Sequence, residues 1–298
     1  MITKKISVAV LGLGAMGLPM AARLKEIGPV KGFDPSKQRQ ELAGADGIEL
    51  FATAREAATD TDCVILAVRN LDQLEASLFG AEGIADVLAT GASVIVTSTI
   101  GVEGVLSVAK RLEARGINFV DAPISGGPVR ARAGDLLIVV GAGDEAFGLV
   151  EPLLNHLASN LARIGPKPGD GQAMKTVNQL LCGVAIAAAA EALALAGRLG
   201  LDQVAVLKTL QAGAAESFML GNRGPRMLEA FTEEGAPVLS RLDLFVKDMG
   251  IVTSLAKELG MSTPVAAATE QLYVMAESQG LGSSDDSSII RVVDYRGR

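Results

Sequence analysis

Ile6-Ser7-Val8-Ala9-Val10-Leu11, then Gly12-Leu13-Gly14-Ala15-Met16-Gly17, then Leu18 to Ile27: this opening decides the fold of the first half. The first run is short, apolar and strand-like, and the last has helical spacing until Gly28 stops it. Between them the glycines stand at G-x-G-x-x-G spacing. Strand, glycine loop and helix in that order give each glycine its own reason to be there. Gly12 permits the tight turn, Gly14 lets the backbone approach a pyrophosphate, and Gly17 allows the helix to lie close to the strand. Leu13, Ala15 and Met16 complete a loop whose N–H groups, at a helix start, attract phosphate oxygens.

The second strand, Val30 to Phe33, ends in Asp34-Pro35-Ser36. Asp34 lies about twenty residues past the glycines, where an acidic side chain accepts from ribose hydroxyls. A carboxylate there repels a 2′-phosphate, and the nearest cations are Lys37 and Arg39. NAD is therefore expected ahead of NADP. Asp34 also reads as a simple helix start with Pro35 at the first position, and the two readings are compatible.

Strand and helix go on alternating. Cys63 to Val68 leads into Arg69-Asn70, and Ser93 to Thr97 leads into Ser98-Thr99-Ile100. Strand C-termini line the crevice that holds a dinucleotide, so Val68, Arg69 and Thr99 are candidate cofactor contacts. Gly101 to Arg115 reads as an amphipathic helix, and Asn118 to Ala122 as a strand running into Pro123-Ile124-Ser125-Gly126-Gly127-Pro128. The turn Ser125-Gly126-Gly127 exposes backbone N–H groups and one hydroxyl, a neutral nest for a carboxylate. A plain connecting turn fits the same residues. Leu136 to Gly141, a helix from Asp144 to Ala158 and a strand from Leu161 to Ile164 complete the half. Residues 1–164 thus read as an α/β Rossmann dinucleotide-binding domain. His156, at the polar edge of its helix, is assigned no chemistry.

Gly165-Pro166-Lys167-Pro168-Gly169 is the clearest linker in the chain. Beyond it strand-type runs vanish. Helices are expected from about Gly171 to Gly200, over Asp202 to Gln211, over Phe218 to Phe231 with a break at Gly224-Pro225, over Asp243 to Leu259, over Pro264 to Gly280, and from Ser287 to Val293 after an Asp/Ser cluster. Residues 165–298 read as an all-α domain entered by a long interdomain helix, and a cleft at the junction is the expected place for a site.

That long helix opens on Gly171-Gln172-Ala173-Met174-Lys175-Thr176-Val177-Asn178-Gln179. Gly171, Lys175, Asn178 and Gln179 fall on one helical face, which then carries an amine, two amides and a gap. An amine at the head of a buried helix loses hydration and becomes a candidate proton acceptor. A solvated lysine at a helix start is the plain alternative. Lys247 and Asp248, adjacent within Phe245 to Gly250, are expected to point to different sides of their helix rather than to pair.

Composition narrows the classes. The chain has 298 residues, 49% hydrophobic and 20% charged, with net charge −7, which suits two domains. No Lys/Arg run appears, so nucleic acid is not an expected partner. Cys63 and Cys182 sit in apolar contexts as isolated thiols, and a single His leaves a zinc site hard to assemble, so no metal is expected. Lys4 and Lys5 precede an apolar run that breaks into glycines by Gly12, too short for a signal peptide. Leu180 to Ala196 is Ala-dominated and interrupted by Glu191, which argues against a membrane span. A soluble, cytoplasmic protein is expected. The apolar helical half suggests a homodimer or homotetramer.

Together, Gly12 to Ala21, Ser98-Thr99, Asp121 to Gly127, Gly171-x-x-x-Lys175-x-x-Asn178 and Lys247-Asp248 stand in the order found in β-hydroxyacid dehydrogenases, which the chain resembles over essentially its whole length. Within that family, which includes 3-hydroxyisobutyrate dehydrogenase, the segments around Lys175 and Lys247 and the Asp285-Asp286 tail are most similar to the L-threonate dehydrogenase branch. The resemblance implies a helical domain like the C-terminal part of 6-phosphogluconate dehydrogenase. It implies Lys175 as catalytic acid/base, and Asn178 with the Ser125-Gly126-Gly127 turn as the holders of a small hydroxycarboxylate. It also implies Thr99 and Lys247 as cofactor contacts. Two departures stand out. Gln179 replaces a second Asn common in the family, which bears on substrate shape, and Arg69 replaces a proline. An imine reductase-like enzyme and a non-catalytic dinucleotide-binding protein are the alternatives; Lys175 speaks against the first, and Lys175 with Asn178 and the absence of a basic tail against the second.

Overall fold

Val8–Leu11 (β1), Cys63–Leu66 (β4) and Ser93–Val96 (β5) are buried along their whole length, as strands of a parallel sheet covered on both faces must be. With Val30–Phe33 (β2), Glu49–Leu50 (β3) and Asn118–Asp121 (β6), they form a parallel array in the order β3-β2-β1-β4-β5-β6. The computed structural model describes residues 6–294, so Lys4 and Lys5 lie outside the described residues.

Alternation along each strand sends successive side chains to opposite faces. Val8, Val10, Cys63, Ile65 and Ile95 enter one core, while Ala9, Leu11, Val64, Leu66, Val94 and Val96 enter the other. Helices Gly17–Leu24 (α1), Lys37–Ala45 (α2), Ala54–Ala58 (α3), Leu71–Phe79 (α4) and Val102–Glu113 (α5) join the strands. Ser36, Thr53 and Asn70 cap α2, α3 and α4 with their side-chain oxygens. Strand order reverses between β1 and β4, and in such sheets the crevice for a ligand opens beyond the strand C-termini at that reversal.

After β6 the chain changes direction. Ile124–Ser125 (β7) pairs antiparallel with Leu136–Gly141 (β8), and Asp121 pairs with Gly141 in the same register. Thus β6 and β7 are one line interrupted at Pro123, whose carbonyl still accepts from the Val139 N–H at 3.1 Å. Gly127–Ala133 (α6), Asp144–Leu157 (α7) and Ala158–Gly165 (β9), which pairs parallel with β8, follow.

Helix Asp170–Arg198 (α8) begins within the first compact unit, which extends to Lys175, and continues in the second, from Thr176 onward. The second unit adds Gln203–Gln211 (α9), Phe218–Glu229 (α10), Leu242–Glu258 (α11), Pro264–Ala276 (α12), a π-turn at Glu277–Leu281, a 3-10 turn at Asp286–Ile289 and Ile290–Val293 (α13). Asp202 caps α9 by accepting from the Val204 and Ala205 N–H groups. Where α8 passes α11, a Cβ on Gly183 would stand 2.4 Å from Met249 Sδ, so the missing side chain leaves room for the Met249 thioether. The Phe245 and Tyr273 rings stack at 5.3 Å, and the Tyr273 hydroxyl donates to the Gly183 carbonyl. Among the described residues α8 alone is long and apolar enough to cross a membrane, yet half of that apolar window is buried within the protein, as in a core helix.

The expected break at Gly224-Pro225 is absent: α10 runs through Pro225 to Glu229. Proline removes only its own N–H, the donor to the Gly221 carbonyl, and here the helix is fastened on both sides of that gap. Arg223 pairs with Asp286 at 2.8 Å and Arg226 with Asp285 at 2.9 Å, both carboxylates fully buried.

Candidate active site

Each glycine of the first loop meets a different constraint. Gly12 has φ +91°, donates to the Phe33 carbonyl, and a Cβ on it would lie 2.7 Å from the Ala67 carbonyl oxygen. A Cβ on Gly17 would fall 1.7 Å from the Gly12 carbonyl oxygen. A Cβ on Gly14 would meet nothing within 4 Å. Two glycines are thus forced by the protein's own packing, and the third leaves a bare stretch of backbone on the open side of the loop. That is the cradle a dinucleotide pyrophosphate needs, and the loop fits one. A cavity lined by Gly14, Ala15, Leu18, Pro19, Arg39 and Arg132 adjoins it.

Asp34 is buried at the end of β2, and its carboxylate spans the loop. Oδ2 accepts from the Leu13 N–H and Oδ1 from the Ser36 N–H, both at 2.8 Å. The neighbouring strand ends are fastened to each other. Ser98 Oγ donates to the Val68 carbonyl at 2.6 Å, Thr97 Oγ1 donates to the Leu66 carbonyl, and the Arg69 N–H donates to Gln73 Oε1. Val68 and Thr99 are half-buried, and Arg69 is exposed. Past β6, Gly126 and Gly127 adopt φ +142° and +80°, a path open to glycine, and Pro128 starts α6.

The start of α8 is pinned to the sheet by Asp121 and Gln172, both fully buried. Asp121 Oδ2 accepts from the Gly169 and Gln172 N–H groups, and Oδ1 accepts from Gln172 Nε2 at 2.8 Å. The same Nε2 donates to the Ser98 carbonyl, while Gln172 Oε1 accepts from the Ile100 and Gly101 N–H groups. Burial pushes the Asp121 carboxyl up to about 6, against the opposing pull of the hydrogen bonds from Gln172, Gly169 and Gly171. A Cβ on Gly171 would stand 2.9 Å from two Asp121 oxygens, so the helix approaches as closely as it can. Neither Gln172 nor Asp121 was assigned a role from sequence, although Gln172 precedes Lys175 by one helical turn on the same face.

Lys175 is 7% exposed, on the inward side of α8 with Gly171, Gln172 and Thr176. In the second unit Gln179 is buried and Asn178 half-buried. Asn178 Nδ2 donates to Gln179 Oε1 at 2.8 Å, and Gln179 Nε2 donates to Asp248 Oδ2 at 2.5 Å. Lys247 and Asp248 do pair, contrary to the expectation that they point apart: Lys247 Nζ stands 2.9 Å from Asp248 Oδ1. The contact is an ion pair without hydrogen-bond alignment. A flexible four-carbon stem lets a lysine curl onto its neighbour, and a buried carboxylate favours the approach of a cation. Cys63 and Cys182 form no disulfide among the described residues, and burial pushes Cys63 up to about 12.

Residues 7–165 match the family model described as the NAD binding domain of 6-phosphogluconate dehydrogenase. Residues 169–293 match that described as the NAD-binding of NADP-dependent 3-hydroxyisobutyrate dehydrogenase. L-threonate dehydrogenase of Cupriavidus necator is 37% identical, with 96% of this chain and 95% of that protein covered. The enzyme of the same name from Pectobacterium atrosepticum is 35% identical over 97% of this chain and 95% of its own length. The crystal structure of 3-hydroxyisobutyrate dehydrogenase from Salmonella typhimurium superposes with a TM-score of 0.89 at 34% identity, covering 96% of this chain and 99% of that one. A glycine-loop sheet followed by a helical unit, with relatives of this kind, defines an NAD(P)-binding oxidoreductase. More narrowly, the chain belongs to the β-hydroxyacid dehydrogenase family.

Proposed function

We propose that the protein oxidises the β-hydroxyl of a small 3-hydroxy carboxylate, threonate-like in the first instance, with NAD as the preferred cofactor and Lys175 as the acid/base. Bound nicotinamide supplies the hydride acceptor. The residues that would hold the dinucleotide are the Gly12 to Gly17 loop, Asp34, Val68, Arg69, Thr99 and Lys247. Asp34 favours NAD, because a buried carboxylate already fixed by two N–H groups repels a 2′-phosphate. The Ser125-Gly126-Gly127 turn takes the substrate carboxylate on its hydroxyl and N–H groups, and Asn178 and Gln179 orient the carbon chain. Lys175 Nζ removes the hydroxyl proton and returns it in the reverse direction. In this reading residues 1–164 bind NAD, residues 165–298 serve substrate and assembly, and the enzyme works in the cytoplasm as a homo-oligomer.

One observation carries the reading. A lysine 7% exposed sits one turn beyond Gln172, whose side chain is bonded to the ends of the strands that lead to Thr99 and Ser125. An amine held there is dehydrated and positioned at once, which general base catalysis requires. The names of the relatives support the substrate class. Lys175→Ala is expected to abolish turnover of L-threonate with NAD while leaving NADH binding, read by fluorescence titration, nearly intact. Turnover near the wild-type rate would remove Lys175 from the mechanism. A screen of threonate, 3-hydroxyisobutyrate, glycerate and serine against NAD and NADP separates the hydroxy-acid reading from that of an imine reductase or a non-catalytic binder.

A further inference from the structure

Three separate segments of the first unit end at one buried side chain. The loop after β5 supplies the Ser98 carbonyl and the Ile100 and Gly101 N–H groups, β6 supplies Asp121, and α8 supplies Gln172 itself. Both side chains have no exposed surface, and the Gln172 amide uses its oxygen twice and its nitrogen twice. These partners lie 51 to 74 residues away in the chain, so the amide is not finishing a local turn. Core packing alone would be met by a leucine, without an amide whose four bonds tie α8 to both the loop after β5 and β6.

We propose that Gln172 is a positioning residue for hydride transfer: its amide fixes the loop bearing Thr99, the strand leading to Ser125 and the first turn of α8 in one register, and so sets where the Lys175 amine stands. The inference rests on the reading of Lys175 as acid/base. Gln172 touches neither substrate nor cofactor in this account. It acts through the alignment of groups that do, and small misalignments of reacting groups are costly.

The pair can be reversed chemically. In Gln172→Glu an oxygen replaces Nε2; it cannot donate to both the Ser98 carbonyl and Asp121 Oδ1 as the amide does, and it sets a second buried carboxyl against Asp121. In Asp121→Asn an amide nitrogen placed at Oδ1 faces Gln172 Nε2, donor against donor. In the double variant the introduced amide donates to the introduced carboxylate, and its oxygen still takes the Gly169 and residue-172 N–H groups. Only the Ser98 carbonyl loses its partner.

The experiment measures kcat, KM and NADH affinity for Gln172→Leu, the two single exchanges, the double exchange and Lys175→Ala. Gln172→Leu and each single exchange are expected to lower kcat about a hundredfold, with KM and NADH affinity moved less than about threefold. The double exchange is expected to recover at least about tenfold of the lost kcat. If Gln172→Leu does not fold, the three near-isosteric variants decide alone. Wild-type kcat in the single exchanges overturns the proposal, as does loss of NADH binding in step with kcat or a double variant no better than its parents. An active Lys175→Ala refutes the acid/base reading instead. An inactive Lys175→Ala beside an unimpaired Gln172→Leu refutes only the role of Gln172.

Discussion

Gly14 and Gly17 stand three positions apart in one loop and tolerate a methyl group very differently. At Gly17 the new carbon would overlap the Gly12 carbonyl oxygen at 1.7 Å, backbone that cannot swing away. Gly17→Ala is expected to lower unfolding free energy by about 3 kcal/mol or more. A Cβ on Gly14 would meet nothing within 4 Å, so Gly14→Ala should stay within about 0.5 kcal/mol of wild type in urea unfolding. The same methyl occupies the space a pyrophosphate needs, and NADH affinity should fall by at least about tenfold. Equal stability losses in the two variants would mean that the spacing lacks this division of labour. The loop was legible in sequence because its constraints are local: strand, turn and helix follow one another directly. The Lys247–Asp248 ion pair was not, because helical periodicity fixes where a Cβ points and not where a long side chain ends.

At the scale of elements, the strands and caps were readable from apolar runs and their punctuation, but what ties elements to one another was not. Pro225 read as a break because proline deletes a helical donor. That α10 survives depends on Arg223 and Arg226 reaching Asp286 and Asp285, some sixty residues on in the chain. Asp121 is similar. It is an ordinary residue at a strand end until the chain from Gly169 to Gln172 closes over it. Its burial has a consequence for stability. The carboxyl rises from 3.8 to about 6 on folding, so between those values the folded chain keeps a proton that the unfolded chain has lost. The contribution of this group is then full below pH 3.8 and is lost as pH rises through about 6. It amounts to about 3 kcal/mol across the window. Urea unfolding of wild type against Asp121→Asn should therefore show wild type losing about that much relative to the variant between acid and neutral pH. A difference between the two that does not change with pH would show that Asp121 titrates normally in the folded chain.

For the whole molecule, the outward face of α8 is the part that one chain leaves unexplained. Val177, Leu181 and Leu195 are 57%, 65% and 61% exposed, and Val184, Ala188 and Ala192 fall between them on the same helical stripe. At 1.5 Å per residue this stripe is about 27 Å long. The opposite face of the helix is fully engaged, with Ile186, Ala190 and Leu193 in the helical core, so the exposed residues are not waiting for the protein's own interior. A continuous apolar stripe of this length, in a chain with charged residues available elsewhere, is what we expect of a contact surface. Its mixture of large side chains and alanines can pack against its own copy across a twofold axis, where every residue contributes twice. We therefore expect a dimer or tetramer by size-exclusion chromatography with light scattering. Leu181→Asp combined with Leu195→Asp should shift the protein to a monomer at micromolar concentration, because each buried leucine forfeits about 2 kcal/mol in each copy and a charge must be desolvated. Far-UV circular dichroism of the double variant should match wild type, since both side chains face outward. A wild-type protein that runs as a monomer, or a double variant that keeps its assembly, would move the interface away from α8.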